Sequence, residues 1–107
     1  MTTFDDRKDA FEKKHAHDEE VAFKTTARRN KLLGLWVAEQ IGLKGEEAEA
    51  YAKEVIVADL QEAGDDDVIR KIMADLKVYK IDISEHRVRG KLAELAETAR
   101  RQIGTSA

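Results

Sequence analysis

Ala27-Arg28-Arg29-Asn30-Lys31-Leu32-Leu33-Gly34-Leu35-Trp36 is the stretch that decides how this chain folds. Its front half is basic, and its back half holds the densest apolar cluster together with the only tryptophan. On a helix, Leu32, Leu35, Trp36 and Glu39 share one side, with Leu33, Val37 and Ile41 beside them, a broad apolar stripe for a core. Gly34 is unfavourable in a helix interior by about 1 kcal/mol relative to alanine. Its presence there points to a place where another helix comes close. Trp36 reads as part of the core rather than as a ligand platform.

Working outward, the pattern predicts four helices. The first runs from near Asp18 to Ile41 and ends at Gly42, which supplies a left-handed C-cap. After the turn 42–45, a second helix starts at Glu46, with Glu46 and Glu47 favourably placed in its first turn. Ala48, Tyr51, Ala52, Val55 and Ile56 carry its periodicity towards Leu60, and Gly64 closes it. Asp65, Asp66 and Asp67 are expected to cap a third helix, whose core face is Val68, Ile69, Ile72, Met73 and Leu76. The segment 78–83 alternates like a strand but has no partner strand. It is expected to be a loop that tucks in Ile81 and Ile83. Ser84 is a suitable N-cap for a fourth helix, with Val88, Leu92, Leu95, Ala96, Ala99 and Ile103 on its inner stripe and Gly104 at its end.

The bulk composition agrees. In 107 residues there is no proline, 38% are charged and 6% aromatic, which suits one small all-helical domain. The fold class expected is all-α: a four-helix bundle over residues 21–107, carrying an N-terminal arm over residues 1–20. That arm has only Phe4 and Phe11 as large apolar side chains, seven residues apart and so on one helical face, with Lys8 and His15 alongside. A helix this sparse is marginal in water, so the arm is expected to be mobile when free and helical on a partner, with a reach of roughly 30 Å.

Several classes of function are argued against. A net charge of -3 argues against nucleic acid as the main partner, since neutralising phosphates needs a basic face. Without cysteine there is no disulfide or thiolate chemistry. No apolar run approaches the ~20 residues of a membrane span, so a cytoplasmic location with no direct membrane insertion is expected. His15, His17, Asp18 and Glu19 resemble a metal cluster, but His17 points away from the rest on a helix, and surface polarity is the simpler reading. The scattered glycines make neither a phosphate loop nor a dinucleotide fingerprint. No nucleophile grouping stands out, so no catalytic residues, no metal and no enzymatic activity are expected. Arg28, Arg29 and Lys31 are chemically suited to nucleic acid, an anionic ligand or an acidic protein surface. No cofactor is otherwise expected.

The decapeptide at 27–36, the Gly42 turn and the string Glu49-Ala50-Tyr51-Ala52-Lys53-Glu54-Val55 closely resemble the zeta subunit of alphaproteobacterial F-type ATP synthases. The resemblance covers Phe4 to roughly Arg89. It implies an inhibitor of ATP hydrolysis by F1, a monomer when free and peripheral to the inner membrane through F1. It further implies that the arm inserts as a helix into a catalytic interface between alpha and beta subunits, against gamma, while the bundle docks outside. Carried across by position, the family's arm pattern is Phe4-Asp5-Asp6-Arg7, Phe11-Glu12, Lys14 and Ala16-His17-Asp18. Phe4 and Phe11 would be apolar anchors; Arg7, Lys8 and Lys14 would meet acidic groups, and Asp5, Glu12 and Asp18 basic ones. Where the family commonly has phenylalanine this chain has His15, which would either weaken anchoring or make it sensitive to pH. The alternative is a small adaptor or adenine-nucleotide-sensing bundle that binds its ligand through the basic surface.

Overall fold

Four helices account for the fold in the computed structural model, which describes the backbone of residues 3–60 and 64–106 and the side chains of residues 17–60 and 64–104. They are α1 (Thr3–Ile41), α2 (Glu46–Asp59), α3 (Asp66–Val78) and α4 (Glu85–Ser106). No strand occurs among the described residues, and the segment 79–84 is an irregular link, as its lack of a pairing partner predicts. Each helix packs on the one before it, and α4 returns to α1, which closes the ring.

The first helix begins well before Asp18. With no proline and a single glycine, Gly34, between Thr3 and Ile41, nothing in the sequence interrupts its backbone hydrogen bonds. The backbone of residues 3–20 is thus helical and continuous with the bundle's first helix. Its far end extends the molecule to 64 Å along one axis against 25 and 21 Å along the others.

The buried line of α1 is also turned relative to the sequence stripe. Asn30, Leu33, Val37 and Ala38 are buried, whereas Leu32, Leu35 and Trp36 are half-buried and Glu39 is exposed. The cause is that α1 lies between α2 and α4. Its deepest face points between those two neighbours, and the flanking residues sit against one of them. Gly34 is where α2 comes nearest: a Cβ placed on it would lie 2.6 Å from Ala52 Cα and 3.1 Å from Ala52 Cβ. The core is completed by Tyr51 and Val55 of α2, Val68, Ile69, Ile72 and Leu76 of α3, and Val88 and Leu92 of α4, with Ile81 and Ile83 of the link packed against it.

Two helices end in the same way. Leu43 N–H donates to Ala38 O at 2.8 Å and Gly42 N–H to Glu39 O at 3.2 Å, the paired bonds of a Schellman motif around Gly42 at φ 90°. At the end of α3, Ile81 N–H donates to Leu76 O at 2.9 Å and Lys80 N–H to Lys77 O at 3.1 Å. There the left-handed position is held by Lys80 at φ 57°.

The helix starts divide. Ser84 caps α4 as expected, its Oγ accepting from Arg87 N–H at 3.1 Å. Asp65 occupies the N-cap position of α3 but makes no side-chain cap bond. Helix α2 stops at Asp59 with Leu60 as its C-cap, short of Gly64, and α4 continues through Gly104 to Ser106.

Candidate functional site

Consecutive aspartates at the start of α3 are drawn to three different arginines. Asp65 Oδ1 accepts from Arg29 Nη2 at 3.0 Å, Asp66 Oδ1 from Arg89 Nη2 at 3.2 Å, and Asp67 Oδ1 from Arg70 Nη1 at 2.8 Å. Charge pairing across helices therefore replaces the capping role that their position suggests for Asp65. Arg29 does most of the joining. Its guanidinium also lies 3.8 Å from Asp59 Oδ2, and Asn30 Oδ1 accepts from its Nε and Nη2 at 3.1 and 3.0 Å. One half-buried cation on α1 thus ties down both ends of the link from α2 to α3. Arg89, pairing with Glu85 and Asp66, holds its proton more tightly than an ordinary arginine.

The three cations considered for an anionic ligand do not converge. Arg28 Nε donates to Gln102 Oε1 of α4 at 2.6 Å, Arg29 faces the α2–α3 link, and Lys31 Nζ lies 3.8 Å from Glu49 Oε2 of α2. Successive positions on a helix are 100° apart, so neighbouring residues meet different helices. Of the metal-like cluster, His17, Asp18 and Glu19 are exposed. Among the described residues no group of three or more potential ligands is arranged to hold a metal.

On the arm, Asp18 is an exposed residue of α1. The side chains of the other arm residues singled out from the sequence, Phe4, Asp5, Arg7, Lys8, Phe11, Glu12, Lys14 and His15, lie outside the described residues. One turn beyond, Glu20 and Lys24 pair at 2.9 Å, and the hydrogen bond and charge of Lys24 lower the Glu20 carboxyl below its usual range.

A second polar cluster joins α2 to α3. Tyr51 donates its hydroxyl proton to Asp75 Oδ2 at 2.8 Å, Lys71 Nζ donates to the same oxygen at 3.1 Å, and the Lys71 ammonium stands 5.1 Å from the centre of the Tyr51 ring. Burial and the neighbouring carboxylate raise the Tyr51 hydroxyl well above its ordinary ionisation range. On the other side of the bundle, Lys91 Nζ stands 5.7 Å from the Trp36 ring, so the tryptophan packs on the core with one face under a cation.

Exposed large apolar residues fall at the end of α2 with Phe23 of α1, and at the end of α3 as Val78 and Tyr79. Phe23 on α1 and Leu60 at the end of α2 are 64% and 66% exposed, and Val57 is 54% exposed. Phe23 and Leu60 rim a recess of about 250 Å³ that Ala22, Thr26, Ala27 and Ile56 also line. Sequence reasoning did not mark Phe23 as a surface residue. Phe23 stands at steps of seven from Asn30 and Val37 and so shares the helical face that is buried further along α1, which leaves periodicity with no signal of its exposure.

No helix among the described residues is long and apolar enough to cross a membrane. A family model described as ATPase inhibitor subunit zeta matches residues 1–102. A solution NMR structure with 48% sequence identity superposes with a TM-score of 0.71, covering 79% of this chain and 96% of the solved one. Among curated proteins no match is found.

Proposed function

The chain belongs to the ATPase inhibitor subunit zeta family, and we propose that it inhibits ATP hydrolysis by F1 by placing its arm, residues 1–20, as a helix in a catalytic interface between alpha and beta subunits and against gamma. A member of an inhibitor family acts as a regulatory subunit of the ATPase rather than as a catalyst. The observation that carries the mechanism is α1 itself, whose first half continues the bundle's helix outward, where its last described side chains, residues 17–20, are exposed. A helix rooted in a folded domain loses less conformational freedom on docking than a detached peptide.

In this reading Phe4 and Phe11 fill apolar pockets. Arg7, Lys8 and Lys14 meet carboxylates of the partner, and Asp5, Glu12 and Asp18 meet its cations. His15 lies on the Phe4–Phe11 face, so its protonation would tune the contact around neutral pH. Attachment to F1 would also set the protein's location, on the cytoplasmic side of the inner membrane.

The nucleotide-sensing alternative gains no support from the positions of Arg28, Arg29 and Lys31, each engaged by a different partner. The test is ATP hydrolysis by F1 purified from the same organism, titrated with the full chain and with a chain starting at Val21. Saturable inhibition by the full chain alone is expected. Equal inhibition by the shortened chain would assign the effect to the bundle and reject the arm.

A further inference from the structure

We propose that the recess between α1 and the first half of α4 binds a small aromatic carboxylate, with Trp36 as its apolar wall and Arg87 as its anion partner. The site lies on the bundle, and its occupant is a small molecule rather than the ATPase.

The recess has a volume of about 480 Å³, enough for one small ligand, and is lined by Trp36, His86, Arg87, Gly90, Lys91 and Glu94. Arg87, Gly90, Lys91 and Glu94 follow at steps of three and four, so one strip of α4 forms one wall and Trp36 of α1 the other. Gly90 makes the room. Alanine would suit a helix interior better, yet a Cβ at Gly90 meets nothing within 4 Å. Close packing, which explains Gly34, therefore does not explain Gly90.

Arg87 is the side chain that asks for a ligand. Arg28, Arg29, Arg70, Arg89 and Arg100 each have an acceptor within the chain, and Arg101 is engaged as well. Among the described residues nothing pairs with the Arg87 guanidinium, although acidic side chains outnumber basic ones by 22 to 19. His86 is likewise without a partner among the described residues. On open surface an unpaired arginine would mean little. This one stands at a concavity whose opposite wall is the only tryptophan.

Charge and shape together select the ligand class. Lys91 is already met by Glu94 at 3.4 Å, and its ammonium stands 5.7 Å from the centre of the indole ring. With that pair balanced, Arg87 leaves one positive charge. One carboxylate neutralises it, whereas a polyphosphate would bring several charges with no counterpart. The guanidinium fork also receives a carboxylate through two parallel hydrogen bonds. The indole favours a flat apolar body packed against it.

The experiment titrates the full chain with 3-phenylpropionate, with its uncharged twin 3-phenylpropanamide and with ATP. The readout is the NMR shift of the Trp36 indole N–H, unambiguous because the chain has one tryptophan, and of the Gly90 amide. Saturable shifts with a Kd of about 1 mM are expected for the acid, and binding at least about tenfold weaker for the amide. Arg87→Gln should weaken the acid at least about tenfold, and so should Gly90→Leu, which fills the recess without lowering the thermal midpoint. Arg100→Gln, an exposed cation further along α4, should change nothing. The proposal is overturned if the acid gives no saturable shift below about 20 mM, or if the amide binds as well. An affinity within about twofold of the parent in either recess variant would also overturn it. Tighter binding of ATP through the same signals would make the ligand a phosphate compound and reject the carboxylate.

Discussion

Gly34 shows how much one residue decides. A Cβ there would press on the Ala52 backbone at 2.6 Å, with Val55 Cγ2 also close at 3.2 Å. Alanine raises helix propensity by about 1 kcal/mol, but forcing a methyl group against backbone costs about 1–3 kcal/mol. Gly34→Ala should therefore lower stability, with a drop of about 5 °C in the thermal midpoint as the readout. A rise would mean that α1 and α2 separate freely. The requirement for a small residue was legible in the sequence, because a glycine inside an apolar helical run needs a packing reason. Asn30 was not legible. It is 1% exposed, and its Oδ1 accepts from Arg29, a partner that the sequence offers no reason to single out.

At the scale of elements, polar contacts set how the helices are joined. Tyr51 and Asp75 link α2 to α3 through a hydroxyl that is 2.8 Å from the carboxylate. Because folding raises the Tyr51 ionisation above its ordinary value of 10.0, the folded state keeps a proton that the unfolded chain releases at high pH. The associated stability is fully present below pH 10 and is lost as pH rises beyond it. Urea unfolding of the wild type should weaken above pH 10 by up to about 1.4 kcal/mol per pH unit from this group. Tyr51→Phe should remove that slope while Lys71 still pairs with Asp75. Parallel pH profiles for the two proteins would show that the hydroxyl is not held in this way. Helix boundaries were legible where local chemistry sets them: Gly42 ends α1 and Ser84 starts α4. At Asp65 the boundary was legible but the fate of the side chain was not, because its carboxylate pairs with Arg29, from a helix far away in the chain, and makes no capping bond.

Across the whole molecule, the bundle and the arm contribute differently. Among the described residues of α1, 17–20 are exposed and the hydrophobic core draws on Leu33, Val37 and Ala38, well beyond Val21. A chain starting at Val21 should therefore keep its thermal midpoint within about 2 °C of the full chain, roughly the shift expected from a change of a few tenths of a kcal/mol. A larger fall would show that the arm helix supports the bundle. By itself the sequence determined the all-helical class, the core faces of α2, α3 and α4, and the family. Each of these follows from local periodicity, from residues with strong backbone preferences, or from long shared strings. Only the tertiary structure decided which side of α1 is buried, where Arg28, Arg29 and Lys31 are engaged, and that Phe23 and Leu60 line one recess. Those outcomes depend on which helices become neighbours, and a side chain's partner across space leaves no periodic mark along the chain.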